Sequence, residues 1–197
     1  WSTTINPAND APTAITKEFT LTSDGIANSV AVRADGLGVV APEATVNTDP
    51  GALVFFDANA VDAASAVLGS VTVGALPDMV SISSDGAYAV VANEGEPSGY
   101  GAGQVDPEGS ISIVRLPRWE RGRWNGAPTV RTVDFTRYNG QEAALRARGI
   151  RIYGPGASAA QDFEPEYFTV SDDSRLAWVT LQENNAVAKI DIENGRI

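Results

Sequence analysis

The sequence predicts an all-β fold: a β-propeller of four-stranded antiparallel blades, with this chain supplying about three blades of a larger ring. Two observations carry this. Apolar and polar residues alternate over short stretches bounded by Gly, Pro, Asn and Asp, the pattern of half-buried strands. A strand–turn–strand–loop–strand unit recurs along the chain. Repetition of such a meander at intervals of tens of residues is the mark of a propeller.

The elements follow in order. "ITKEFTL" at 15–21 alternates and reads as a strand. "NSVAVRADGLGVVAP" at 28–42 is a hairpin turning at Asp35-Gly36, and "ALVFFDA" at 52–58 and "SAVLGSVTV" at 65–73 follow as strands. "LPDMVSISSDGAYAVVANEGEP" at 76–97 is a second hairpin, turning at Asp85-Gly86, then an acidic, turn-rich loop. Asp-Gly suits the positive φ angles of a tight hairpin turn. "GSISIVRL" at 109–116 and "TVRTVDF" at 129–135 are the next strands. "PEYFTVSDDSRLAWVTL" at 165–181 is a third hairpin, and "NAVAKIDI" at 185–192 a last strand.

The hairpins align. "NSVAVRADG" at 28–36 matches "DMVSISSDG" at 78–86 and "EYFTVSDDS" at 166–174. The blade-like units span about 26–73, 76–135 and 165–197 of a single domain over 1–197, with insertions at 94–109 and 136–164. The inner strands are expected near 29–33, 79–83 and 167–171, with Val30, Val32, Val80, Ile82, Phe168 and Val170 buried. A propeller has about four to eight blades, and the third copy stops at "ENGRI" before an outer strand. The remainder of the ring is therefore an expected partner, from the same polypeptide or a second chain. The chain opens on Trp1 rather than Met, which points to processing or truncation at that end.

One helix is expected in the second insertion. Asn139 is placed to cap it, Glu142 and Arg146 form an i,i+4 pair, and Gly149 ends it. The rest, "RIYGPGASAAQDFEP", reads as irregular loop. Gly154-Pro155-Gly156 lacks the spacing and the Lys-Ser/Thr of a phosphate loop and reads as a turn.

Composition narrows the chemistry. The formal net charge is −11, from 25 acidic and 14 basic residues. Such a chain is a poor partner for nucleic acid or an anionic membrane, and a better one for cations. No run approaches the roughly 18 apolar residues of a membrane-spanning helix, so no membrane insertion is expected in this segment. Cys and His are both absent, so disulfides, thiolate zinc sites and a Ser-His-Asp triad cannot be built from these residues. Lack of Cys is compatible with a bacterial secreted protein.

The segments "LPDMVSISSDGAYAVVANEGEP", "VDPEGSISIV", "GIRIYGPGASAAQDFEPEYFTVS" and "AWVTLQENNAVAKIDI" resemble the bacterial choice-of-anchor I family. The resemblance covers roughly the latter two-thirds of the chain, with "VANEGEP" and "VTLQENNA" in the same order and such an insertion between them. Arg115 stands where the family usually has an acidic residue. The resemblance implies a β-propeller of secreted or surface-anchored proteins, some joined to phosphoesterase modules and labelled alkaline phosphatase. It brings no catalytic residues with it.

Three constellations are candidates for chemistry. Glu94, Glu96, Asp106 and Glu108 lie in one glycine-rich loop. Hard oxygen ligands of this kind suit Ca²⁺, which takes roughly six to eight oxygens; the alternative is a solvated loop. Asp162, Glu164 and Glu166 precede a blade's first strand, and Asp78 holds the position equivalent to Glu166. Carboxylates recurring there would ring a channel mouth and bind a cation or polar ligand; the alternative is that they bond backbone N–H groups and position the blade. Trp119, Arg121, Arg123 and Trp124 share one excursion. They suit a surface partner or glycan, or else fold back against the blade with Arg over the rings.

The function expected from the sequence is a binding or scaffold module on a secreted or cell-surface protein, Ca²⁺-stabilised. The alternative is the propeller part of a metal-dependent phosphoesterase, alkaline phosphatase-like or phytase-like.

Overall fold

The computed structural model describes residues 2–6, 11–16, 25–120 and 123–197. The fold is all-β. A two-stranded antiparallel ribbon, β1 (Ser2–Asn6) and β2 (Ala11–Thr16), comes first. Most of the expected strand at 15–21 lies outside the described residues. Three antiparallel sheets follow in chain order.

The first sheet runs β3 (Ala27–Val32), β4 (Leu37–Pro42), β5 (Pro50–Asp57) and β6 (Val67–Ala75), with a short helix α1 (Ala63–Ala66) before its last strand. The second runs β7 (Pro77–Ile82), β8 (Tyr88–Asn93), β9 (Ser110–Arg115) and β12 (Thr129–Asp134). A small hairpin, β10 (Arg118–Glu120) with β11 (Arg123–Asn125), projects between its last two strands. The third is three-stranded: β13 (Pro165–Val170), β14 (Leu176–Leu181) and β15 (Ala186–Asp191).

The hairpin turns explain the repeat. Gly36 N donates to Arg33 O, Gly86 N to Ser83 O and Ser174 N to Ser171 O. The last residue of each turn is left-handed, with φ of 93°, 70° and 62°. Glycine adopts this conformation freely; Ser174 holds it against its Cβ. Positive φ falls on the glycine alone, because Asp35 and Asp85 keep φ negative. Each Asp instead accepts a hydrogen bond two residues on: Asp35 Oδ1 from Leu37 N, Asp85 Oδ1 from Ala87 N and Asp173 Oδ1 from Arg175 N.

Two hydrophobic clusters lie between consecutive sheets. Leu37, Val39, Leu53 and Phe55 meet Val80, Ala89, Val91 and Val114 between the first and second. Val90, Ile111 and Ile113 meet Phe168, Val179 and Ile190 between the second and third. Strand period 2 sends Ala89 and Val91 to one side of β8 and Val90 and Ala92 to the other, so β8 is an almost unbroken apolar run. The first strands of the sheets are neighbours. Val80 N donates to Ser29 Oγ at 3.1 Å, and Phe168 N to Met79 Sδ at 3.2 Å.

One burial expectation is corrected. Val30 and Val32 are 61% and 56% exposed. Val80 buries toward the sheet before its own and Phe168 does the same. Val30 holds the equivalent place in the first sheet, and no earlier sheet covers it among the described residues. Ile82 and Val170 are half-buried.

The second insertion carries two corrections. Helix α2 (Glu142–Ala147) starts from Gln141, which makes no side-chain capping bond. Asn139 Oδ1 accepts instead from Ala160 N at 2.9 Å, in a further helix α3 (Ala159–Asp162). That helix stands inside the stretch expected to be irregular. Ser158 and Gln161 close a reciprocal capping box on it. Gly149 ends α2 with φ of 87°, as expected, whereas Arg146 Nε turns to Ile152 O at 2.8 Å.

Candidate acidic site

The two acidic constellations of the sequence meet at one end of the second and third sheets. Glu94 leaves β8 with its N–H on Leu76 O at 2.8 Å. The chain then loops out and returns at Gly109, whose N–H donates to Ala160 O at 3.0 Å. A Cβ on Gly109 would run into the Phe163 carbonyl, so this close approach requires glycine. Gln161 Nε2 donates to Asp106 O at 2.9 Å. These contacts lay the loop 94–109 against the segment 159–166.

Asp162 is the knot of the site. Its buried carboxylate accepts from Tyr153 N at 3.1 Å, Gly154 N at 2.6 Å and Asn184 Nδ2 at 3.0 Å. Asn184, also buried, donates to Asp162 O at 2.6 Å and Arg151 O at 3.0 Å, and its Oδ1 accepts from Glu164 N at 3.4 Å. Of the two readings open for the second constellation, backbone positioning describes Asp162.

Glu164 is different. It is 5% exposed, yet its carboxylate has no hydrogen bond or ion pair among the described residues. Burial, with Glu183, Asp162, Glu96 and Asp106 around it, pushes it up to about 7. Burial likewise pushes Glu94 up to about 8, helped by Asp78, Glu166, Glu96 and Glu164. Asp78 is raised by burial; Glu166 by burial, then Asp78 and Glu183. Asp106 is raised by burial and by Asp162, and its Oδ1 is buried without a partner. Glu96 and Glu108 are exposed on the loop. Glu166 accepts a long bond from Gln182 Nε2 at 3.4 Å. Among the described residues, no group of three or more acids is gathered closely enough to share one metal ion.

Two features were missed from the sequence. Glu183 joins the acids, although it sits within the quoted motif "VTLQENNA". Tyr100 and Tyr153 come together from separate loops, Oη to Oη at 3.2 Å with ring centroids 6.1 Å apart. Nothing in spacing connects positions so far apart.

The tryptophan excursion lies elsewhere. Trp124 meets Phe55 edge-on at 5.4 Å, and Trp119 meets Trp124 at 5.2 Å, both half-buried against the core between the first two sheets. Arg123 takes a strand position opposite Glu120, and Arg121 lies outside the described residues. A concavity of about 600 Å³, lined by Pro42, Glu43, Asp49 and Val54 among others, lies on the first sheet and contains none of the acids at 94–108 or 162–166.

Successive antiparallel sheets, joined face to face and carrying an acidic end, define an all-β, propeller-like domain. The chain belongs to the choice-of-anchor I domain family, which matches residues 2–197. No curated protein matches it in sequence. Among solved structures it is similar to hydrazine synthase of Kuenenia stuttgartiensis, at TM-score 0.58 and 12% identity, over 97% of this chain and 46% of that one. A eukaryotic initiation factor follows at TM-score 0.46 and 16% identity, over 93% and 34%. A protein from Lactobacillus plantarum follows at TM-score 0.39 and 11% identity, over 98% and 59%. At such identity the first likeness shows the fold alone. This chain spans under half the length of the hydrazine synthase chain. Among the described residues, no helix is long and apolar enough to cross a membrane.

Proposed function

We propose that this chain is a binding or scaffold module of a secreted or cell-surface protein, and that its acidic end binds a positively charged ligand. The supporting observation is Glu164, a residue only 5% exposed whose carboxylate is unpartnered among the described residues and repelled by other acids. Such an arrangement opposes ionisation, and uncompensated charge of this kind is characteristic of sites that bind or react. The family's name, which speaks of anchoring, supports the surface location. Ca²⁺ is one candidate ligand, since the donors are all oxygen. Further sheets covering the open faces belong to the same reading, supported by the exposed Val30, Val32, Tyr167 and Val187.

Calorimetric titration of the metal-stripped chain with CaCl₂ and, separately, putrescine dihydrochloride tests the binding face. Heat with at least one cation, lost in Glu164→Gln, supports it; no heat with either removes it. Hydrolysis of p-nitrophenyl phosphate that requires Ca²⁺ and Glu164 would replace the scaffold reading with the phosphoesterase one. Fractionation of the producing cells tests the location: recovery from the cytosol alone refutes it.

A further inference from the structure

The Tyr100–Tyr153 pair borders the acidic end. Both side chains are substantially exposed, at 54% and 43%, although their hydroxyls are hydrogen-bonded to each other. The pairing lifts the Tyr153 hydroxyl well above its ordinary range, with burial and the nearby charges of Glu164 and Glu183 adding to it. The Asp162 knot holds these groups together. Tyr153 N binds the Asp162 carboxylate, Glu164 N binds Asn184 Oδ1, and Glu183 adjoins Asn184. An aromatic pair and an unpartnered carboxylate are thus held by one hydrogen-bond network, near enough for the Glu164 charge to act on Tyr153.

The charge around Glu164 is one-sided. The charges of Glu183, Asp162, Glu96 and Asp106 all act against its ionisation. Arg151 contributes its backbone to the knot, yet the ion pairs among the described residues are Arg33–Asp35 and Arg196–Asp191, both elsewhere. A neutral sugar would stack on the tyrosines without relieving this repulsion. A metal ion held mainly by protein carboxylates favours several acids drawn to one point, and among the described residues no three are so gathered. A cation that binds by one hydrogen-bonded contact and rests on aromatic rings satisfies both conditions. Ammonium groups do this, with the charge within about 6 Å of a ring centroid.

We infer that the acidic end binds the ammonium group of an organic amine, seated between the Glu164 carboxylate and the Tyr100–Tyr153 pair. This rests on reading that end as a binding face. The ammonium donates hydrogen bonds to Glu164, and its alkyl chain lies along the exposed rings. No covalent step is involved.

The test is calorimetric titration of the whole chain with putrescine dihydrochloride at pH 8, with CaCl₂ in parallel. Putrescine should bind, and Glu164→Gln should weaken it about tenfold or more. Tyr100→Leu should weaken it while leaving the fold intact, since Tyr100 is exposed; Tyr100→Phe, which keeps the ring, should bind far better than Tyr100→Leu. Lowering the pH to 5.5 should weaken binding as Glu164 gains a proton. Absence of putrescine binding, or binding indifferent to Tyr100→Leu, overturns the inference. If Ca²⁺ binds in a Glu164-dependent way and putrescine does not, the ammonium assignment falls and the binding face stands. If neither binds, both fall.

Discussion

Ser174 Oγ accepts a hydrogen bond from Asp85 N at 3.0 Å, joining two hairpin turns that are 89 residues apart in the chain. A matching bond links the first and second sheets, from Arg33 Nη1 to Gly86 O at 2.6 Å. The turns of successive sheets are therefore stapled to one another. Ser174 is buried, and it is the one non-glycine residue holding the left-handed position in this series. Ser174→Ala should destabilise the chain by about 1–2 kcal/mol, because it loses the bond and keeps the strained backbone. Ser174→Gly should cost less, because relief of the strain offsets the lost bond. Urea unfolding of the two variants checks the order; a glycine variant less stable than the alanine one contradicts it.

Stability should fall as the pH rises from about 4.5 to about 8. Glu94 and Glu164 are raised in the folded chain, to about 8 and about 7, from an ordinary value of 4.5. The folded state then holds more protons than the unfolded one across this window, so each step up in pH favours unfolding. Below it the sign reverses, because Asp35, Asp85 and Asp173 are lowered by folding and lose their stabilising bonds when protonated. Thermal melts from pH 5 to 8.5 should show a declining Tm, flattened in Glu94→Gln. A Tm that climbs over that range would contradict the raised carboxylates.

Asp162→Ala should be among the most damaging single changes, at about 3 kcal/mol or more. It leaves the buried N–H of Gly154 and the N–H of Tyr153 without their acceptor, and takes one of its partners from the Asn184 amide. Denaturant titration measures the loss. Near-neutral behaviour would mean the knot does not hold the two loops together.

Val30→Asp should change the stability of this chain by no more than about 0.5 kcal/mol, whereas Val80→Asp should cost about 3 kcal/mol or more. The two residues hold equivalent places in their sheets, one open and one covered. In a polypeptide carrying further sheets, Val30→Asp should become costly too. Equal tolerance in both settings would refute the proposal that another sheet covers this face.

The all-β architecture was legible because strand patterning and Asp-Gly turns are local signals. The aligned hairpins at 28–36, 78–86 and 166–174 sit in equivalent places in their sheets, and the third sheet lacks an outer strand among the described residues. The family was legible in "VANEGEP" and "VTLQENNA", and its match extends over the first 70 residues, which resemble it less distinctly. Helix α3 escaped notice because one turn of helix is too short to show a period, although Ser158 and Gln161 announce its cap. The acids at 94–108 and 162–166 were recognised as two sets. That they form one, with Glu183 and two tyrosines, depends on the packing of Gly109 against Phe163. Which carboxylate is bonded and which left bare depends on Asn184, 22 residues from Asp162. Alternation along a strand tells which side chains share a face, but the burial of that face depends on the neighbouring sheet. Val30 and Val80 read alike in sequence and differ in exposure for that reason.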